Sequence, residues 1–149
     1  ASENFFEDNP RFEYLRFFVS DIRPSLRRKE EDFWALNAYQ PAFDFIDSAL
    51  RDGRCVLVHC LAGAHRAGSL GCAYLMYRAD LSLDESIKKA KMLRPIINPF
   101  GGLLETLHYL DADLKRRRND RAETRGDGSN DGYDKNKDGE GKEEPNCGT

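Results

Sequence analysis

The sequence lacks the features that would tie it to a membrane, a disulfide framework or a nucleic acid. It has no apolar run of membrane-spanning length and no apolar stretch typical of a secretory signal. Its four cysteines lie at irregular spacing, which does not suggest a disulfide framework or a zinc site. The formal net charge is only −3 at pH 7, which argues against a nucleic-acid binder. With 149 residues, a single domain is expected.

The C-terminal part lacks the residues that build a core. From Asn119 to Thr149 there is no Ile, Leu, Val, Met, Phe or Trp, while six of the twelve glycines lie there. Such a segment cannot bury enough apolar surface to offset the cost of ordering. It holds nine acidic and five basic residues, so its net charge of −4 leaves residues 1–118 at +1. We therefore expect a domain over 1–118 and an acidic, Gly-rich disordered tail over 119–149.

The chemistry of the chain is concentrated in residues 55–69, CVLVHCLAGAHRAGS. Its short apolar start contains β-branched residues and predicts a buried strand that ends at His59-Cys60. A loop of small residues follows, and Arg66 opens an apolar helix. A cysteine separated from an arginine by five residues allows one loop to wrap a tetrahedral anion.

This loop can both bind a phosphate and activate a thiol. The Arg66 guanidinium can grip two phosphate oxygens at once, and Cys60 is positioned to act as the nucleophile. The same positive field lowers the pKa of a thiol and so favours the reactive thiolate. The backbone N–H groups that can point inward and meet the helix N-terminus belong to Leu61, Ala62, Gly63, Ala64, His65 and Arg66.

The pattern His59-Cys60-x-x-Gly63-x-x-Arg66 resembles the signature of the cysteine-dependent phosphatases, and the Ala62-Gly63 pair leans towards their dual-specificity branch. The resemblance implies an α/β fold, in which a parallel sheet is flanked by helices. It implies hydrolysis of phosphotyrosine and phosphoserine or phosphothreonine on proteins through a phosphocysteine, with no cofactor and no metal. His59 would orient the loop and tune the thiol. A reactive thiol indicates a reducing compartment, the cytoplasm or the nucleus.

The same resemblance implies a general acid at the end of an upstream strand. Residues 12–19 are rich in aromatics and predict that strand, and Asp21 follows it at the position that matches the family's acid. The connection that comes next is longer than usual in the family. Asp32 lies closer to the cysteine in sequence and is the alternative acid. A carboxylic acid is needed because the leaving oxygen must receive a proton.

Local signals predict four helices. Apolar residues recur at helical spacing over 33–52, 66–79 and 102–118. Ser82 with Glu85 forms a capping box that starts the third helix, which ends at Arg94-Pro95.

Two residues depart from the family's pattern. Ala67 stands where the family has Ser or Thr, whose hydroxyl contacts the cysteine sulfur and helps the thiolate leave in the second step. The phosphatases of regenerating liver also carry Ala there and turn over slowly. Phe100 stands where the family usually has Asn, at the end of the segment 94–100 that precedes the last helix. This puts in doubt any polar support that the segment would give to the phosphate-binding loop.

The expected domain is incomplete at its N-terminal side. In the family it begins well upstream of the acid-bearing strand, and only two strands are visible here. We therefore expect a fragment or a processed chain, whose sheet is filled by a missing upstream segment of the same domain or by a partner.

Two other functions remain open at this level. One is a phosphate-binding pseudophosphatase, which would keep Cys60 and Arg66 without a working acid. The other is a phosphatase of lipids, RNA 5′-phosphates or glucans. The main expectation is an enzyme whose partner is a phosphorylated protein substrate, without nucleic acid or membrane.

Overall fold

The computed structural model describes residues 4–19, Ile22 and 35–126. Its regular structure in those residues consists of helices that pack around one core. The helices are α1 (Ala35–Arg51), α2 (Arg66–Ala79), α3 (Leu83–Leu93) and α4 (Gly102–Gly126). None of these helices is both long and apolar enough to cross a membrane.

The predicted α/β fold, with a parallel sheet flanked by helices, was wrong for the part of the chain that the structure describes. Residues 12–18 and 54–60 have no regular secondary structure, and no backbone hydrogen bond joins these two described segments. Leu57 is 83% exposed and Phe18 is 57% exposed, so neither segment buries its apolar side chains as a core strand would. Extended chain becomes a sheet only when a neighbouring strand takes up its N–H and C=O groups.

One surface ion pair connects these two segments. The Arg54 guanidinium lies 2.7 Å from the Glu13 carboxylate, and both side chains are about half exposed. An exposed pair of this kind contributes about 1 kcal/mol or less. It cannot replace the backbone ladder that a sheet would need.

The core lies between α1, α2 and α4. Tyr39 and Phe43 of α1 are fully buried, and the Phe43 ring stacks on Tyr77 of α2 with a centroid distance of 4.5 Å. Leu107 and Leu110 of α4 close the core from the other side. Burying each such side chain stabilises the fold by roughly 1.5–3 kcal/mol. This packing fixes α2, and therefore also the loop that leads into it.

Where local signals set a helix boundary, the predictions are confirmed. α2 has the predicted bounds, and the Ser82–Glu85 capping box starts α3. α3 ends before Arg94, whose extended backbone suits a residue that precedes proline. α1 ends at Arg51 and is followed by a turn in which Gly53 adopts φ +69°.

The last helix is longer than predicted. α4 continues from the expected end at residue 118 to Gly126. The added residues are mostly Arg, Asp, Ala and Glu, several of which favour helix without needing burial. The Arg118 guanidinium also contacts the Asp80 carboxylate just after α2. The rest of the predicted tail, residues 127–149, lies outside the described residues.

Candidate active site

Residues 60–66, here called the Cys60 loop, connect the segment 54–60 to α2. Gly63 adopts φ +66°, a left-handed conformation that glycine takes without steric cost and that turns the chain inward. Arg66 is the first residue of α2, whose first turn contains no acidic side chain. His65 precedes it without a side-chain cap hydrogen bond. The N–H groups at this helix start are thus directed at the loop's interior rather than at a cap.

Partial burial alone would raise the pKa of the Cys60 thiol. The backbone N–H groups of Ala67, Gly63 and Ala62, together with the Arg66 charge, outweigh that effect and bring the pKa below the ordinary value of 9.0. The loop therefore stabilises a negative charge at its centre, as a thiolate or an anionic ligand requires.

The lowered pKa of Cys60 predicts a pH profile. A thiol whose pKa is depressed keeps its thiolate as the pH falls below 9.0 and loses it only when the pH passes through the lowered pKa. We expect alkylation of Cys60 by iodoacetamide to persist at neutral pH with its midpoint below 9.0. The rate should be followed against pH in a Cys55→Ser background, because Cys55 is exposed. A midpoint at or above 9.0 would contradict the geometry.

The other described cysteines do not share this environment. Cys55 is exposed, and Cys72 is fully buried inside α2. Burial raises the pKa of the Cys72 thiol to about 11, so it stays protonated at neutral pH. Among the described residues, only Cys60 combines partial access with a cationic loop.

A second loop, residues 94–100, packs directly on the Cys60 loop and is here called the Arg94 loop. The Asn98 N–H donates to the Ala64 carbonyl at 3.0 Å. The His65 Nδ1 lies 2.7 Å from the Asn98 carbonyl. A carbonyl can only accept, so Nδ1 carries the proton. The Phe100 ring meets the His65 ring edge to face, with centroids 4.6 Å apart.

Two glycines permit this close approach. A Cβ on Gly63 would lie 3.2 Å from the Arg94 Nη2 atom, and a Cβ on Gly68 would lie 2.9 Å from the Ile97 Cγ2 atom. The Arg94 guanidinium therefore sits over the turn of the Cys60 loop. Phe100 offers no polar group to the Cys60 loop, but the Asn98 backbone and the His65 side chain form polar contacts between the two loops.

The remaining predicted site residues fall into two groups. His59 and Leu61 are exposed beside Cys60, and Leu61 is 95% exposed. Both candidate acids, Asp21 and Asp32, lie outside the described residues.

The sequence drew attention to the Arg94 loop only through Phe100, which stands where the family usually has Asn, and did not predict the contacts that the structure shows. Those contacts run through the Asn98 backbone and the exposed Arg94 side chain, and no sequence pattern marks either. No group of three or more His, Cys, Asp or Glu able to hold a metal occurs within residues 4–19, 22 and 35–126.

Comparison with known proteins identifies relatives among the dual specificity phosphatases. The family model described as "Dual specificity phosphatase, catalytic domain" matches residues 2–111. Human dual specificity protein phosphatase 16 is 48% identical over 67 residues, which cover 44% of this chain and 10% of the relative. Dual specificity protein phosphatase 1 of Arabidopsis thaliana is 34% identical over 77 residues, covering 52% and 39% of the two chains.

Human dual specificity protein phosphatase 9 is 36% identical over 109 residues, which cover 68% of this chain and 26% of the relative. The chain thus spans between a tenth and about two fifths of the length of these relatives.

Proposed function

The chain belongs to the dual specificity phosphatase catalytic domain family, and on that premise we propose that it hydrolyses phosphotyrosine and phosphoserine or phosphothreonine on proteins. The observation that carries this proposal is the loop itself, which turns at the left-handed Gly63 between Cys60 and Arg66 at the start of α2 and lowers the pKa of the Cys60 thiol. Such a loop favours a thiolate and complements the negative oxygens of a phosphate. The phosphorylated protein is the proposed partner, and a reducing compartment such as the cytoplasm suits the free thiol.

The proposed reaction has two steps. The Cys60 thiolate attacks phosphorus, an S–P bond forms, and the P–O bond to the substrate oxygen breaks. Arg66 and the loop N–H groups hold the non-bridging oxygens, and Asp21 or Asp32 gives the leaving oxygen its proton. Water then attacks the phosphocysteine, the same carboxylate takes the water's proton, and the thiolate leaves with inorganic phosphate as product.

Ala67 favours one alternative of another kind, a phosphate-binding module that turns over little or nothing. The Ala67 backbone N–H supports the Cys60 sulfur, but its methyl group offers no hydroxyl for the second step. This chain would then bind phosphoproteins rather than dephosphorylate them. A phosphatase of lipids, RNA 5′-phosphates or glucans differs from the main proposal only in its substrate.

A substrate panel tests the proposed function. Turnover of tyrosine and serine or threonine phosphopeptides should exceed turnover of a phosphoinositide, an RNA 5′-phosphate and a phosphoglucan. An aryl phosphate serves as the reference for chemistry without recognition. Turnover of a non-protein substrate above that of every phosphopeptide would overturn the substrate assignment. Binding of phosphopeptides without any turnover would favour the non-catalytic module.

Ala67→Ser should accelerate steady turnover. Loss of one hydrogen bond to a charged group is worth ~1.5–3 kcal/mol, and 1.36 kcal/mol is about tenfold in rate. We therefore expect breakdown of the phosphocysteine to limit the wild type, with a burst of leaving group before the steady phase. The serine variant should raise the steady rate by roughly tenfold with little change in the burst.

Stopped-flow kinetics with an aryl phosphate measures both phases. Absence of a burst in the wild type, together with an unchanged steady rate in Ala67→Ser, would show that this hydroxyl does not limit the second step.

A further inference from the structure

His65 is the residue that precedes α2, but its side chain does not cap this helix. The residue before a helix commonly accepts a hydrogen bond from the helix's own N–H groups. His65 makes no such cap and reaches across to the Arg94 loop instead, where its Nδ1–H donates to the Asn98 carbonyl at 2.7 Å. The start of α2 is thus tied to a second loop.

This tie is one of four contacts between the same two loops. Asn98 uses both of its backbone groups, because its N–H donates to Ala64 and its carbonyl accepts from His65. The Phe100 ring packs against the imidazole and limits its rotation. The Arg94 guanidinium closes over Gly63 from the other end of the Arg94 loop. Together the contacts bracket residues 63–65.

We propose that His65 is a positioning residue, which clamps the Arg94 loop onto the Cys60 loop and so keeps the loop's N–H groups aimed at the sulfur and at a bound phosphate. The proposal deepens the function proposed above and rests on it for the phosphate. It also explains how this chain manages with Phe100 in place of the family's usual Asn. The polar support comes from the Cys60 loop itself, and the phenyl ring orients the histidine that supplies it.

The removal of this clamp has a specific consequence. The Gly63 N–H helps to lower the pKa of Cys60 from a turn in which Gly63 is left-handed, and a change in that turn would redirect this N–H. Without the His65 bond, the Cys60 loop keeps one backbone bond to Asn98 and gains freedom to rotate peptide groups away from the sulfur. The thiolate and a bound anion should lose support together, although the helical core is untouched.

The test compares His65→Ala with His65→Asn in a Cys55→Ser background. Asparagine can place an amide N–H close to the position of Nδ1, and alanine cannot. Two readouts need no turnover: the pH profile of Cys60 alkylation by iodoacetamide, located by mass spectrometry, and the Kd of inorganic phosphate. His108→Ala is the matched control, because His108 is exposed on α4, outside both loops.

We expect His65→Ala to raise the midpoint of alkylation by about one pH unit and to slow alkylation below the midpoint by about threefold, since higher nucleophilicity partly offsets the smaller thiolate fraction. Phosphate affinity should fall about tenfold. His65→Asn should restore most of both values, and His108→Ala should change neither.

Unchanged profiles and phosphate affinity in His65→Ala would overturn the proposal, and so would a failure of His65→Asn to restore them. If His65→Ala does not fold, as judged by circular dichroism, His65→Gln replaces it. Its amide lies one bond further out, and it should behave as the alanine variant is expected to. If the wild type is inactive but the His65 variants show the expected shifts, the phosphatase function alone is refuted. If the wild type is active but the variants show no shifts, the clamp alone is refuted.

Discussion

Cys60→Ser should lower kcat by about 10⁴-fold or more, the order of loss that follows removal of the nucleophile in other covalent enzymes. The three N–H groups and Arg66 bring the pKa of a thiol below 9.0, but a serine hydroxyl ionises far too weakly to follow. Phosphate binding should survive, because it depends on the loop N–H groups and the guanidinium rather than on the sulfur.

Two matched variants separate chemistry from binding. Cys55→Ser removes an exposed thiol five residues upstream and should leave turnover unchanged. Arg66→Ala should lose phosphate binding that Cys60→Ser keeps. Turnover is followed with an aryl phosphate, and phosphate binding by titration calorimetry. Residual activity of Cys60→Ser near the wild-type level would exclude the cysteine mechanism.

The general acid should produce the second large effect. Proton transfer by a positioned carboxylic acid typically contributes ~10²–10⁴-fold. Asp21→Asn should therefore lower kcat by that order for alkyl phosphates, whose leaving oxygen needs a proton. Aryl phosphates with acidic leaving groups should be affected much less.

Asp32→Asn is the matched comparison for the acid. If it shows the dependence on the leaving group and Asp21→Asn does not, the acid is Asp32. If neither variant shows it, the chain lacks both candidate acids in working position, which would favour the phosphate-binding module.

The helices could be predicted because their signals are local. The Ser82–Glu85 capping box, the Arg94-Pro95 stop and the apolar spacing of α2 each act within one or two turns. The end of α4 could not be predicted in the same way. Apolar content falls after residue 118, yet Arg, Ala and Glu favour helix without a core to pack against.

The strand-like stretches alone could not tell whether a sheet forms. Residues 54–60 have the β-branched composition of a strand, but a strand exists only with a partner for its backbone. The structure leaves Leu57 exposed and shows no backbone hydrogen bonds between the described segments 12–18 and 54–60. Strand pairing depends on which other segment lies beside a stretch, and the composition of that stretch does not determine this.

For the candidate site too, the local part could be predicted and the contacts between distant segments could not. The spacing of Cys60 and Arg66 placed both on one loop at a helix start, where the structure also has them. The roles assigned to them stay predictions. The Arg94 loop was considered in the sequence only for Phe100, and its contacts through Asn98 could not be predicted because they use backbone groups rather than a particular side chain. Only the fold brings that carbonyl to His65.

Detection of phosphate on Cys60 tests the central claim most directly. The wild type is mixed with an aryl phosphate, quenched with acid during the burst, digested and examined by mass spectrometry. We predict a phosphate mass on the peptide that contains Cys60, absent from Cys60→Ser treated in the same way. The account would be contradicted if phosphate were released while Cys60 stayed unmodified at every quench time, or if the added phosphate mass were found on another residue.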